Sequence, residues 1–351
     1  MSPRFSIAVV AVGVLVVGCG SADGPESEPA VQVTEAAVAT SVVAETTVTE
    51  PAGAEVSVEV SVEVSVEAST TTTATVEGVV NVWVGPAVDL TALPLGDTHV
   101  STEAPSVGGL FACTAGNPNG GGAEVAGPWI DAAAGTWDAT EKIAVNGSIE
   151  WPMATYSETV DGGTRSIASG GLPVGYVTGI FPIAATDPAF AYDRNRNTIS
   201  ENDVAYELPV APVVSDEAGC LSGGAVAIMR NGVVAFAPID ERHRDAVAYE
   251  TQDVCDGHPQ QIGIYHYHDV PSCLLEASVG PSTVVGFALD GFPIVVERDA
   301  AGELPTNADL DECHGRTSAV LLDGEVVETY HYSATHEFPY FIGCYRGTPV
   351  S

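Results

Sequence analysis

The chain has 351 residues, of which 47 are Asp or Glu and only 11 are Lys or Arg, so its net charge at pH 7 is −36. A surface this acidic repels the phosphate backbone of nucleic acids, and we therefore expect no nucleic-acid partner. The length is sufficient for a substantial hydrophobic core.

The N-terminus has the pattern of a lipoprotein signal. Arg4 precedes an apolar run over residues 7–17, and the run ends in Val16-Val17-Gly18-Cys19. The run is shorter than the roughly 20 apolar residues that span a bilayer. The sequence predicts a signal peptide over 1–18, lipid on Cys19, and a location in the cell envelope, anchored by that lipid on the extracytoplasmic side of a membrane. An ordinary secretory signal is the alternative.

Residues 19–78 are rich in Ala, Val, Thr, Ser, Pro and Glu and contain no Lys or Arg. Segment 55–63 alternates Val with Glu or Ser, as a strand would. However, such a low-complexity repeat cannot bury enough apolar area to offset its loss of chain entropy. We therefore predict a disordered acidic stalk over 19–78.

In residues 79–351 short apolar runs recur between Gly, Pro, Asp and Asn. This pattern predicts a mainly β fold with little helix, either a sandwich or layered antiparallel sheets. Hairpin turns are indicated at Arg230-Asn231-Gly232, Leu289-Asp290-Gly291 and Leu322-Asp323-Gly324. Segment 240–252 is the one candidate for a longer helix. The predicted strands are 79–84, 142–145, 176–183, 224–236, 263–268, 282–289, 291–297, 318–322 and 326–332.

Six cysteines follow Cys19, and an even number in an exported domain favours disulfides. A thiolate metal site would need closely spaced pairs such as Cys-x-x-Cys, which the chain lacks. Six cysteines allow 15 pairings, between which the sequence does not choose. Our hypothesis is the set Cys255 with Cys273, Cys313 with Cys344, and Cys113 with Cys220.

The segment Tyr265-His266-Tyr267-His268 carries the clearest chemical signal. On a strand, residues two apart point to the same side about 6.6 Å apart, so both imidazoles would share one face and both tyrosines the other. Two imidazoles at this spacing are suited to a shared metal ion.

Several segments, in order along residues 109–347, resemble the YHYH-domain family of exported bacterial proteins. The resemblance implies an exported protein and no particular reaction. Its motifs here are Cys255-Asp256-Gly257-His258-Pro259, Tyr265-His266-Tyr267-His268, Pro271-Ser272-Cys273-Leu274, 288–294, Asp311-Glu312-Cys313-His314-Gly315, Tyr330-His331-Tyr332, Phe338-Pro339-Tyr340 and Gly343-Cys344.

The histidines of these motifs predict a metal site for zinc or copper if their strands are neighbours. The first candidates are His266, His268 and His331. His258, His314 and His336 are further candidates, the first two because disulfides beside them would hold them in place. Ser333 stands where a fourth histidine would complete the second motif, which argues against a symmetric four-histidine site. Glu250, Asp253 and Asp290 are candidates for orienting the ligands or for acting as general bases. The alternative is that these histidines form a polar layer, hydrogen-bonded to carboxylates and backbone, over packed tyrosines.

Three functions remain open. The first is a lipid-anchored metal-binding protein, which includes a metalloenzyme. The second is a surface module that binds glycan or protein through Trp129, Trp137 and Trp151. The third is a hydrolase that pairs a histidine with a carboxylate.

Overall fold

The computed structural model describes residues 79–350, and they form a mainly β protein, as predicted. The predicted signal peptide, Cys19 and the stalk lie outside the described residues. Within 79–350 there are two short α-helices, α1 (Ala246–Tyr249) and α2 (Ser272–Ala277), and no helix there is long and apolar enough to cross a bilayer. The strands are β1 Leu93–Pro94, β2 Val100–Ser101, β3 Leu110–Phe111, β4 Ile130–Asp131, β5 Thr136–Trp137, β6 Tyr156–Asp161, β7 Thr164–Ser169, β8 Val204–Pro209, β9 Ala225–Met229, β10 Val234–Phe236, β11 Gly257–Pro259, β12 Tyr265–Tyr267, β13 Ser282–Ala288, β14 Pro293–Glu297, β15 Gly315–Leu322 and β16 Glu325–Ser333.

The main element is an eight-stranded sheet in the order β11-β12-β10-β9-β13-β14-β16-β15. Its central strands β9, β13 and β14 are buried along nearly their whole length, which explains why they appear in the sequence as continuous apolar runs. Most neighbours are antiparallel, but β12 runs parallel to β10 and β16 parallel to β14. The sheet is therefore mixed. After the hairpin β9–β10 the chain forms the edge strand β11, and β12 then lies between β11 and β10. After the hairpin β13–β14 it forms the edge strand β15, and β16 lies between β15 and β14.

The three predicted hairpin turns are present. Asn231-Gly232 joins β9 to β10, and Asp290-Gly291 joins β13 to β14, with a φ of 91° at both glycines. The turn Asp323-Gly324 joins β15 to β16 with φ of 53° and 86°. Two positive φ angles in a two-residue loop are the geometry that matches strand twist, and Asp-Gly adopts it at little cost.

A second sheet of three strands, β6-β7-β8, was missed by the sequence reading. Its strands alternate between half-buried and exposed residues and carry many polar side chains, so they lack a strong apolar signal. Arg165 on β7 connects the two sheets: it is 2% exposed, pairs with Glu158 and Asp323, and lies over the Phe287 ring.

The hypothesised disulfide pairing is confirmed. The Cα atoms are 4.9 Å apart in Cys113–Cys220, 5.2 Å in Cys255–Cys273 and 4.5 Å in Cys313–Cys344. These separations lie within the range of disulfides. Two of the three pairs flank the segments that carry His258 and His314.

Candidate metal centre

Strand β12 separates its histidines from its tyrosines, as the alternation predicts. Tyr265 and Tyr267 are fully buried in the hydrophobic core, and His266 and His268 lie on the opposite face, 3% and 4% exposed. The tyrosine hydroxyls are also paired. Tyr265 donates to Asp253, and Tyr267 accepts a hydrogen bond from Asn231.

The neighbouring strand β11 adds a third histidine to this face. His258 pairs directly with His266 in the antiparallel register. Its loop is tightly shaped: Asp256 has a φ of 56°, and a Cβ on Gly257 would overlap the Tyr265 ring. Directly paired residues on adjacent strands lie within about 4.5–5.5 Å at Cβ, so the two imidazoles must meet.

Glu250 completes the cluster from the turn that follows α1. It is 8% exposed, and its Oε2 lies 3.3 Å from His268 Nε2 and 3.5 Å from His258 Nε2. The Nε2 atoms of His266 and His268 are 3.2 Å apart. In a regular tetrahedron with metal bonds of about 2.0–2.1 Å, ligand atoms are about 3.3–3.4 Å apart. Three of the six spacings among these four atoms thus match those of ligands of a single ion, and the three imidazoles each offer a nitrogen within 4.8 Å of the other two.

Hydrogen bonds at Nδ1 leave the Nε2 atoms of His266 and His268 free to bind a metal ion. His268 Nδ1 lies 2.6 Å from the Ala237 carbonyl and His266 Nδ1 3.3 Å from the Ile264 carbonyl. A carbonyl only accepts, so Nδ1 carries the proton in the neutral ring and Nε2 offers a lone pair. Burial, followed by repulsion from the other imidazoles, holds the pKa of His258 and of His266 well below its usual value of 6.5. Neutral imidazole is the form that coordinates metals.

The buried group of His258, His266 and His268 could therefore hold a metal ion. Together with Glu250 it lines a cleft of about 840 Å³. The cleft is bordered by loops that include residues 193–197, 221–224 and 239–243, most of them polar. The cluster is thus placed where a ligand from solvent could reach it.

His331 does not join this cluster. It lies on β16, five strand positions from β12, or about 24 Å at the usual strand spacing. The three-ligand set of His266, His268 and His331 is therefore not assembled, and His258 takes the third place. The sequence could not reveal this because both motifs have the same form, and the pairing of β11 with β12 is decided by the fold.

The other candidates are dispersed as well. His314 is 1% exposed with Nε2 3.0 Å from Thr335 Oγ1, and His336 lies in the loop after β16. Asp290 accepts from the Tyr332 hydroxyl in the other half of the sheet. Asp253, in contrast, does support the cluster: it accepts from the Cys255 and Gly257 amides of the His258 loop and from Tyr265 on β12.

The tryptophans are not an exposed recognition surface. Trp129 and Trp137 are each 4% exposed and belong to the core, and Trp151 is partly buried and donates to Thr178 Oγ1. Binding of glycan or protein through these rings would require them to be exposed, and Trp129 and Trp137 are not.

His314 predicts a measurable pH dependence. Burial lowers its pKa to about 3, whereas the unfolded chain takes up the proton near 6.5. Its contribution to stability is therefore complete above pH 6.5 and is lost as the pH falls from 6.5 towards 3, by about 1.4 kcal/mol per pH unit. We compare the wild type with His314→Asn, since Asn does not titrate and tolerates the positive φ of 70° at this position. From pH 7 to pH 5, denaturant unfolding should show the wild type losing about 2 kcal/mol relative to the variant. If the difference in unfolding free energy between the wild type and the variant were the same at both pH values, the lowered pKa of His314 would be contradicted.

Comparison with known proteins agrees with this description. No curated protein and no solved structure matches the chain. The family model described as "YHYH protein" matches residues 205–304, a segment that contains Glu250 and all three histidines of the cluster. The match and the disulfides agree with a location outside the cytoplasm. The resemblance to the YHYH-domain family is therefore confirmed over residues 205–304.

Proposed function

We propose that this protein binds one divalent metal ion through His258, His266 and His268, with Glu250 as the fourth ligand. The support is the set of unsatisfied atoms at the cluster. The Nε2 lone pairs of His266 and His268 face each other at 3.2 Å, and neither ring nitrogen of His258 has a hydrogen-bond partner. A single proton could join only one pair of these four buried atoms. A divalent cation would be bound by Nε2 of His266, by Nε2 of His268 and by one ring nitrogen of His258 at once.

Zinc is the metal that we favour. Imidazole suits both zinc and copper, but the three donor spacings of 3.2, 3.3 and 3.5 Å are closer to tetrahedral geometry, which zinc adopts, than to the tetragonal geometry of Cu(II). The carbonyl contacts of the two Nδ1 atoms would fix the ring orientations, as is usual around metal-bound histidines.

The open cleft favours a metal-dependent activity over a purely structural metal. A structural zinc ion keeps four protein ligands, whereas a catalytic ion keeps one position for water or substrate, which the cleft would supply if Glu250 left the ion. Polarisation of a bound carbonyl or activation of water is the chemistry that zinc with nitrogen and oxygen ligands supplies. Glu250 is the residue that could then exchange between metal ligand and proton acceptor.

The test is metal analysis of the full chain exported into an oxidising compartment. We expect close to one zinc per chain, retained through dialysis and removed by a chelator, with a lower melting temperature after removal. Glu250→Gln, which keeps the volume and removes the charge, should retain the ion with weaker affinity. A protein that takes up neither zinc nor copper when either is added in excess would refute the proposal.

We further propose that the protein is exported and anchored by lipid on Cys19. The support is the N-terminal sequence pattern alone. Cys19→Ala should move the protein from the membrane fraction to the soluble fraction and abolish labelling by radioactive fatty acid. Retention of the label in that variant would exclude Cys19 as the modified residue.

A further inference from the structure

The two halves of the eight-stranded sheet have the same construction. From the central β9–β13 pair outward, each half has a hairpin, then a strand parallel to the second hairpin strand, then an antiparallel edge strand. The halves are β9 to β12 and β13 to β16. They are related by an approximate two-fold axis between β9 and β13, which run antiparallel.

The hairpin turns of the two halves make equivalent contacts. The side chain before the turn glycine is hydrogen-bonded to the second tyrosine of the histidine motif in both halves. These contacts are Asn231 Nδ2 to the Tyr267 hydroxyl, 2.8 Å, and the Tyr332 hydroxyl to Asp290 Oδ2, 2.6 Å.

The loops before the edge strands are also equivalent. Each contains Asp-x-Cys, then a residue with positive φ, then Gly, with Asp256 at 56° and His314 at 70°. Each Asp binds the Cys and Gly amides and the first tyrosine of the motif. The acceptor atoms are Asp253 Oδ1, at 3.0, 3.3 and 3.0 Å from Cys255 N, Gly257 N and the Tyr265 hydroxyl, and Asp311 Oδ1, at 2.9, 3.0 and 3.1 Å from Cys313 N, Gly315 N and the Tyr330 hydroxyl.

This equivalence identifies the counterparts of the metal ligands. His331 pairs with Arg316 in the register in which His266 pairs with His258. His331 therefore corresponds to His266 and Arg316 to His258. The position of His268 is taken by Ser333.

A buried carboxylate is present in both halves, although it comes from a different element. Glu297, at the end of β14, is fully buried, and its Oε2 lies 2.9 Å from His331 Nε2 and accepts from Ser333 at 2.8 Å. Its Oε1 lies 3.9 Å from Arg316 Nε, and the Arg316 guanidinium is stacked on Trp83, 5.0 Å from the ring centre. The second half thus has a guanidinium beside its carboxylate at the position where the first half has the imidazole of His258.

We infer that the second half contains a copy of the metal site and that Arg316 prevents this copy from binding metal. The Arg316 guanidinium replaces the ion as the counter-charge of Glu297. This inference rests on the proposed metal site of the first half. In this view His331 and Glu297 belong to a buried site in which the Arg316 guanidinium takes the place of a metal ion. The role of that site is structural. The inference also means that two substitutions, Arg316→His and Ser333→His, restore the three imidazoles and open a second metal site.

The test is the number of cobalt or zinc ions bound by the full-length R316H/S333H variant. We expect two ions per chain against one in the wild type. The matched control is T317H/S333H, because Thr317 is the next residue on β15, is exposed and points to the opposite face. That control should bind one ion. The single variant R316H, with His331 and Glu297, supplies three ligands and decides the question if the double variant does not fold.

The outcomes separate this inference from the proposed function. One ion in the wild type and only one in the folded R316H and R316H/S333H variants would overturn the inference and leave the proposed function intact. No ion in the wild type but one in R316H/S333H would refute the metal site of the first half, and with it the inference that the second half is a copy of a metal site. A second measurement introduces no additional histidine. The variant His331→Ala should have a melting temperature lower than that of the wild type by the same amount with and without chelator. A decrease found only without chelator would show that metal binds there and would overturn the inference.

Discussion

His268→Ala should lower the zinc affinity of the protein by roughly 100- to 1,000-fold, and the double variant H266A/H268A should retain no zinc. Structural zinc binding by four ligands is worth about 10–16 kcal/mol, so one ligand contributes roughly a quarter of it. His268 also contacts both His266 and Glu250, so its loss separates the remaining ligands. Competition with a chromophoric chelator measures the affinity.

The matched control is His243→Asn. His243 lines the same cleft but is not part of the cluster, and Asn is suited to its φ of 64°. This variant should bind zinc as the wild type does. If it lost affinity to the same extent as His268→Ala, the ion would be bound elsewhere in the cleft and the assignment of ligands would fail.

Asp253→Ala should lower the free energy of unfolding by about 3–5 kcal/mol and the zinc affinity by about 10- to 100-fold. Asp253 is 2% exposed and accepts hydrogen bonds from Gly179, Cys255, Gly257 and Tyr265. Its removal leaves several buried donors unpaired at 1–3 kcal/mol each. Because these donors hold both β11 and β12, the three imidazoles lose their relative positions. Denaturant unfolding and zinc titration measure the two effects.

Asp311→Ala separates the positioning effect from general loss of stability. Asp311 makes the same contacts in the second half of the sheet, to Cys313, Gly315 and Tyr330. Its removal should destabilise the protein while leaving the zinc affinity within about twofold, because no metal ligand depends on it. Equal losses of affinity in both variants would mean that Asp253 acts only through overall stability.

Local features of the fold were predictable because they depend on residues close together in the chain. The three turns ending in Asn-Gly or Asp-Gly required positive φ and formed hairpins, and the run 282–289 became the buried strand β13. Predictions based on weaker apolar patterns were wrong at 79–84, 142–145 and 176–183, which contain no strand. The helix predicted within 240–252 is reduced to the four residues of α1. The helix α2 was not predicted.

The sequence by itself determined the mainly β class, the disulfide chemistry and the placement of His266 and His268 on one face of a strand, because alternation and turn residues act over a few positions. Only the tertiary structure decided which third histidine meets them. His258 and His331 both lie in motifs of the family and were both candidates. The strand order places His258 beside His266 and places His331 five strands away. Tertiary structure also brought Glu250 to the cluster, since contact between residues far apart in the chain depends on how the sheet is assembled and has no local signal.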